Sequence, residues 1–126
     1  MKKSRNYQLL TFAALLILAM VITSCKKVSE PIVTTNSITV FTSTSATVGG
    51  NVTSDGGAAV TDRGVYWSSS PNPVTTGTKL QIGSGTGSFS TNLPGLSPGT
   101  NYYVTAYAIN RAGTSYDGQV GFTTAN

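Results

Sequence analysis

From Ile32 onward the chain is cut by turn residues into short β-prone runs, spaced at the intervals of about 8–12 residues that all-β domains use. No run is long enough, or spaces its apolar residues suitably, to make an amphipathic helix. Ile38 to Phe41 and Ala46 to Thr53 are the first two clear runs, and in the second Ala46, Val48, Gly50 and Val52 share a face. Asp55-Gly56-Gly57 then turns the chain, because glycine reaches positive φ without a Cβ clash and Asp bonds its own backbone. Val60 to Ser68 is the next strand and stops at Ser69-Ser70-Pro71-Asn72-Pro73, where two prolines exclude a central strand and predict a surface loop. Lys79 to Ile82 and Phe89 to Leu93 follow, on either side of Gly83-Ser84-Gly85-Thr86-Gly87. The strongest strand is Tyr102 to Asn110: Tyr102, Val104, Ala106 and Ala108 lie on one face, and Tyr103, Thr105, Tyr107 and Ile109 on the other. Ser115 to Thr123 is the last strand. About seven antiparallel strands without helices need two layers to bury their apolar faces, which predicts an all-β sandwich over residues 32–126.

Ahead of this domain the chain has a different character. Lys2, Lys3 and Arg5 form a positive flank, Leu9 to Ile22 an apolar run, and Ile22-Thr23-Ser24-Cys25 closes the segment. A bilayer core about 30 Å thick takes roughly 20 apolar residues, so Leu9 to Ile22 is too short to span it and reads as a secretory signal. Residues 26–31 read as a tether.

Removal of residues 1–24 takes three of the eight basic side chains with it and leaves five against four acids. The alkaline character of the full chain is therefore no sign of nucleic-acid binding, which needs a clustered basic face. The chain has no histidine, which excludes Ser-His-Asp and Cys-His nucleophile systems and His-ligated zinc. Cys25 is the single cysteine, so the domain is held without a disulfide.

Ile22-Thr23-Ser24-Cys25 resembles the lipobox of bacterial lipoproteins, with isoleucine where leucine is commonest. The resemblance implies cleavage before Cys25 and lipidation of its sulfur and new amine. Leu96-x-Pro98-Gly99-Thr100-x-Tyr102-x-Val104-x-Ala106 resembles the E–F corner and F strand of fibronectin type III domains. Tyr102 matches the tyrosine-corner residue of that fold, whose hydroxyl bonds back to the chain upstream. Asp62-Arg63-Gly64-Val65-Tyr66-Trp67, Ser70-Pro71-Asn72-Pro73, Tyr102-Tyr103-Val104-x-Ala106-Tyr107-Ala108-x-Asn110, Gly113-Thr114-x-Tyr116 and Phe122-Thr123-Thr124 resemble a repeat common in lipoproteins of Bacteroidetes. Asp117 stands where such repeats usually have glycine. Trp67 lies on the third strand of the sandwich, whereas animal fibronectin type III domains carry a strand B tryptophan. The resemblance implies an outer-membrane lipoprotein facing the periplasm or the cell surface, with a non-enzymatic interaction, adhesion or spacer role, needing no cofactor or metal and using an envelope protein or glycan as partner.

Three other features invite chemical readings. Gly83 to Gly87 is not followed by the lysine and helix of a phosphate loop, and reads as a hairpin connection. Asp55, Asp62 and Asp117 are too few and too scattered to favour a hydrolase or a calcium site, and Asp62-Arg63 reads as a surface ion pair. Tyr103 and Tyr107, with Trp67 and with Tyr66 or Tyr116 nearby, form the aromatic set to be weighed as a carbohydrate-binding surface.

Overall fold

The computed structural model describes Lys27 to Asn126; Cys25 and the signal segment lie outside the described residues. The described residues form eight strands: β1 (Ile32–Thr35), β2 (Ala46–Ser54), β3 (Asp62–Ser68), β4 (Thr78–Gln81), β5 (Gly87–Leu93), β6 (Asn101–Asn110), β7 (Gly113–Tyr116) and β8 (Val120–Thr123). A single helical turn, α1 (Pro73–Thr76), sits in the proline-rich loop, where the sequence predicts no helix. Pro at its first position presets φ at no hydrogen-bond cost, and the Pro73 side chain is buried. Among the described residues no helix is long and apolar enough to cross a membrane.

All strand pairs are antiparallel. One sheet has the order β1-β2-β5, and the other β4-β3-β6 with β7 and β8 paired to opposite halves of β6. Period-two alternation places Ala46, Val48 and Val52 of β2 against Tyr102, Val104, Ala106 and Ala108 of β6, and Val33, Val65, Phe89, Leu93 and Leu96 complete the core between the sheets. Gly50 continues the inner face of β2 because the sheets come close there. A Cβ on it would lie 2.9 Å from the Ala106 Cβ and 2.4 Å from the Thr34 carbonyl oxygen.

Three expectations need correction. Ile38 to Phe41 is not a regular strand: Phe41 makes one isolated bridge with Ala46, the Val40 carbonyl accepts from Thr47 N–H, and Val40 and Phe41 stay exposed. Gly83 to Gly87 does not close a hairpin, since β4 and β5 belong to different sheets and the segment carries the chain across the sandwich. The crossing uses positive φ at Gly83, Gly85 and Gly87, a conformation that side chains with a Cβ disfavour. The stretch Ser115 to Thr123 is two strands, because Asp117 to Gln119 leave the ladder opposite Thr105 and Ala106.

A threonine from the other sheet fills that gap. Thr35 Oγ1 accepts from the Ala106 N–H (3.0 Å) and donates to the Gly118 carbonyl (3.1 Å), while the Thr35 N–H donates to Asp117 Oδ2 (2.7 Å). Strand β1 thus bonds to β2 along its length and laces into the second sheet at its end.

The residues before β1 are not a free tether. Ser29 N–H donates to the Gly56 carbonyl (2.9 Å), Asn110 Nδ2 donates to the carbonyls of Ser29 (2.7 Å) and Asp55 (2.8 Å), and Ser115 Oγ donates to the Pro31 carbonyl. The N-terminal segment is therefore fastened to the pole formed by the β2–β3 and β6–β7 turns. Loop Ser69–Asn72 and α1 follow the far end of β3 and lie at the opposite pole.

Candidate functional site

The outer face of the five-stranded sheet gathers most of the side chains with recognition chemistry. Alternation brings Asp62 and Tyr66 of β3, Thr105 and Tyr107 of β6, Lys79 of β4 and Tyr116 of β7 onto this face, through the pairings Tyr66↔Lys79, Tyr66↔Thr105 and Tyr107↔Tyr116. The rings of Tyr66 and Tyr107 meet edge to face at 5.2 Å, and Tyr66 lies 6.1 Å from Tyr116.

Tyr107 has the outward direction expected of it, but it is fully buried and offers no stacking surface. Its hydroxyl donates to Asp62 Oδ1 (2.8 Å), Lys79 Nζ bonds Asp62 Oδ2 (2.8 Å), and the same ammonium lies 4.9 Å from the centre of the Tyr107 ring. Burial, followed by the bond to the Asp62 carboxylate, pushes the Tyr107 phenol well above its ordinary value. The hydrogen bond that Lys79 donates to Asp62 likewise raises the pKa of the ammonium, against a smaller opposing effect of desolvation.

Asp62 therefore pairs with Lys79 and not with Arg63, its neighbour on the opposite face of β3. Arg63 reaches toward the β4–β5 crossing: Nη1 donates to the carbonyls of Gly85 (3.1 Å) and Thr86 (2.9 Å), and the guanidinium stands 5.1 Å from the Phe89 ring centre. Its Nε is buried with no hydrogen-bond partner among the described residues. The glycine-rich segment thus has its carbonyls turned to a cation, a geometry suited to holding a loop and unsuited to cradling an anion.

Trp67 does not belong to the outer face. It packs against the core, with its ring 6.0 Å from that of Tyr102, which in turn stacks on Phe122 at 5.9 Å. The Tyr102 hydroxyl accepts from the Ser97 N–H (2.8 Å), five residues upstream. Tyr103 is half-buried and lies over Gly121, away from the Tyr66–Tyr107–Tyr116 cluster.

Of the Tyr66–Tyr107–Tyr116 cluster, Tyr116 is the ring that stays open to solvent, 49% exposed. It forms one wall of a groove of about 500 Å³ whose opposite wall is Asn72 to Thr75 and whose end is closed by Asp117 to Gln119. Gln119 Oε1 accepts from the Asn72 N–H (2.8 Å), and Asn72 adopts a left-handed conformation (φ 61°) that asparagine tolerates. Thr76 Oγ1 lies 3.0 Å from the Asn72 carbonyl and 3.1 Å from that of Pro71, which fixes the loop beside the groove. The Asp117 carboxyl experiences desolvation that pushes its pKa up, but hydrogen bonds from the backbone N–H groups of Thr35 and Gly118 oppose it, and the pKa stays below the ordinary range. Among the described residues no three His, Cys, Asp or Glu side chains gather as a metal site.

No known protein-family model matches the chain, and none of the curated proteins does. Solved structures do resemble it. The sensor domain (short form) of the anti-sigma factor RsgI4 in Pseudobacteroides cellulosolvens is 20% identical and superposes with a TM-score of 0.55 over 79% of this chain and 98% of that one. The 6th fibronectin type III domain of human fibronectin type III domain containing protein 3 is 23% identical, with a TM-score of 0.55 over 82% and 93% of the two chains. The chicken CNTN1 FN1-FN3 domains give 19% and 0.59 over 79% of this chain and 32% of that one. Strand order and these likenesses define the fold as a fibronectin type III-like β-sandwich, with β7 and β8 together in the place of its last strand.

Proposed function

We propose that the protein is a lipid-anchored envelope protein whose sandwich is a non-enzymatic interaction module. The observation that carries the non-enzymatic part is the use made of the charged side chains. Asp62 is bonded by Lys79 and Tyr107, Asp117 by Thr35, and Arg63 by the Gly85 and Thr86 carbonyls, so each is engaged in holding the fold. The fibronectin type III-like fold supports the interaction role, because it offers loops and sheet edges on a rigid scaffold.

The anchor rests on the basic flank, the short apolar run and Ile22-Thr23-Ser24-Cys25. A single acyl chain holds a protein only marginally, at about 0.8 kcal/mol per buried methylene, whereas the several chains of a lipoprotein cysteine hold it stably. Placement in the outer membrane, toward the periplasm or the cell surface, belongs to the same reading. Fatty-acid labelling in the native host tests it. Label is expected on the wild-type chain, and the Cys25→Ala chain is expected to lose it. Label that survives this substitution contradicts the anchor.

A further inference from the structure

We infer that the groove between Tyr116 and the Asn72–Thr75 loop is a binding site for a neutral oligosaccharide. The inference rests on the reading of the sandwich as an interaction module and assigns that module a ligand class. Tyr116 supplies a half-exposed ring beside the groove, and a flat π-face suits the C–H face of a pyranose. Thr105, 3% exposed, also lines the groove and carries a hydroxyl that can both donate and accept.

The end wall adds the complementary groups. Asp117 is held ionised by the Thr35 and Gly118 N–H groups, and each carboxylate oxygen has lone pairs enough to accept from a sugar hydroxyl as well. Gln119 gives its Oε1 to Asn72 and retains its amide NH₂ as a donor. One ring, a hydroxyl, an amide and a carboxylate within one groove match the alternating C–H and O–H surface of a sugar. The Asp117 charge selects against acidic glycans. Both walls are fixed by Pro73 burial, the Thr76 hydroxyl and the Gln119–Asn72 bond, so little ordering is needed on binding.

The test is saturation-transfer difference NMR and titration on the full chain in detergent micelles, with cellotetraose, mannotetraose and chitotetraose as neutral probes and tetragalacturonate as the acidic one. At least one neutral probe is expected to bind with a millimolar or tighter Kd and to exceed tetragalacturonate. Tyr116→Ala is expected to weaken it about tenfold. The nearly isosteric Thr105→Val is expected to weaken it several-fold and decides the matter if Tyr116→Ala does not fold. Tyr103→Ala, outside the groove, is expected to leave it unchanged. No neutral probe bound at about 10 mM, or binding that ignores both groove variants, overturns the assignment. A blank result from a chain that still carries fatty acid on Cys25 removes the glycan site and leaves the anchor standing.

Discussion

The Tyr107 hydroxyl and the Lys79 ammonium share one carboxylate, and this sets how the outer face responds to substitution and to pH. Tyr107→Phe keeps the ring packed but removes the donor to Asp62. A hydrogen bond to a charged group contributes about 1.5–3 kcal/mol, and a loss in that range is expected in urea unfolding. Tyr107 and Lys79 both have raised folded-state values, so their contribution is complete below about pH 10 and is lost as pH rises further. Asp117 is depressed, so its contribution is present above about pH 4 and is lost as pH falls through its folded value. Unfolding titrations from pH 2 to about 11 are expected to show both limbs, with the alkaline one shallower in Tyr107→Phe and the acid one shallower in Asp117→Asn. The outward direction of Tyr107 is legible from the two-residue period of its strand. Its burial is not, because the cover comes from Tyr66, Lys79 and Tyr116 on three other strands. For Asp62 adjacency in sequence points to the wrong partner, since neighbours on a strand face opposite ways.

At the level of the element, the break between β7 and β8 depends on Thr35. Thr35→Val keeps the shape but removes the acceptor for the Ala106 N–H and the donor to Gly118. An unsatisfied buried amide costs about 1–3 kcal/mol, so Thr35→Val is expected to lose stability in that range while Thr35→Ser loses far less. Faster amide hydrogen exchange at Ala106 than in the parent is the local sign; equal exchange would contradict the lacing. Asp117-Gly118 is the only turn signal in the run from Ser115 to Thr123, and it does not reveal what fills the break, because that group lies 71 residues from Ala106. The Gly83–Gly87 crossing is similar. Its glycines mark a change of direction in the sequence, but whether they join paired strands or two sheets depends on where β5 pairs, and β5 pairs with β2. By contrast, the inner faces of β2 and β6 follow from their own alternation and occupy the core as the pattern predicts.

For the whole molecule, the fastening of Ser29 to Gly56 and Asn110 decides how an anchored domain would stand. Three residues lie between Cys25 and Ser29, and the four Cα steps reach about 14 Å when extended. A lipid on Cys25 therefore keeps the pole of the β2–β3 and β6–β7 turns near the membrane and turns the Ser69–Asn72 loop away from it. The sequence reads residues 26–31 as a tether because Ser29, Glu30 and Pro31 lack periodicity. Their partners are backbone carbonyls and the Asn110 amide, which leave no such pattern. The most direct measurement places a fluorophore on a single new cysteine in the full chain, at Ala112 or at Thr75, in vesicles carrying headgroup spin-labelled lipid, where the proposed lipid on Cys25 would keep that thiol from reacting. Strong quenching at position 112 and little at position 75 is the predicted result. Equal quenching at both, or the reverse order, would contradict a sandwich held by its N-terminal pole.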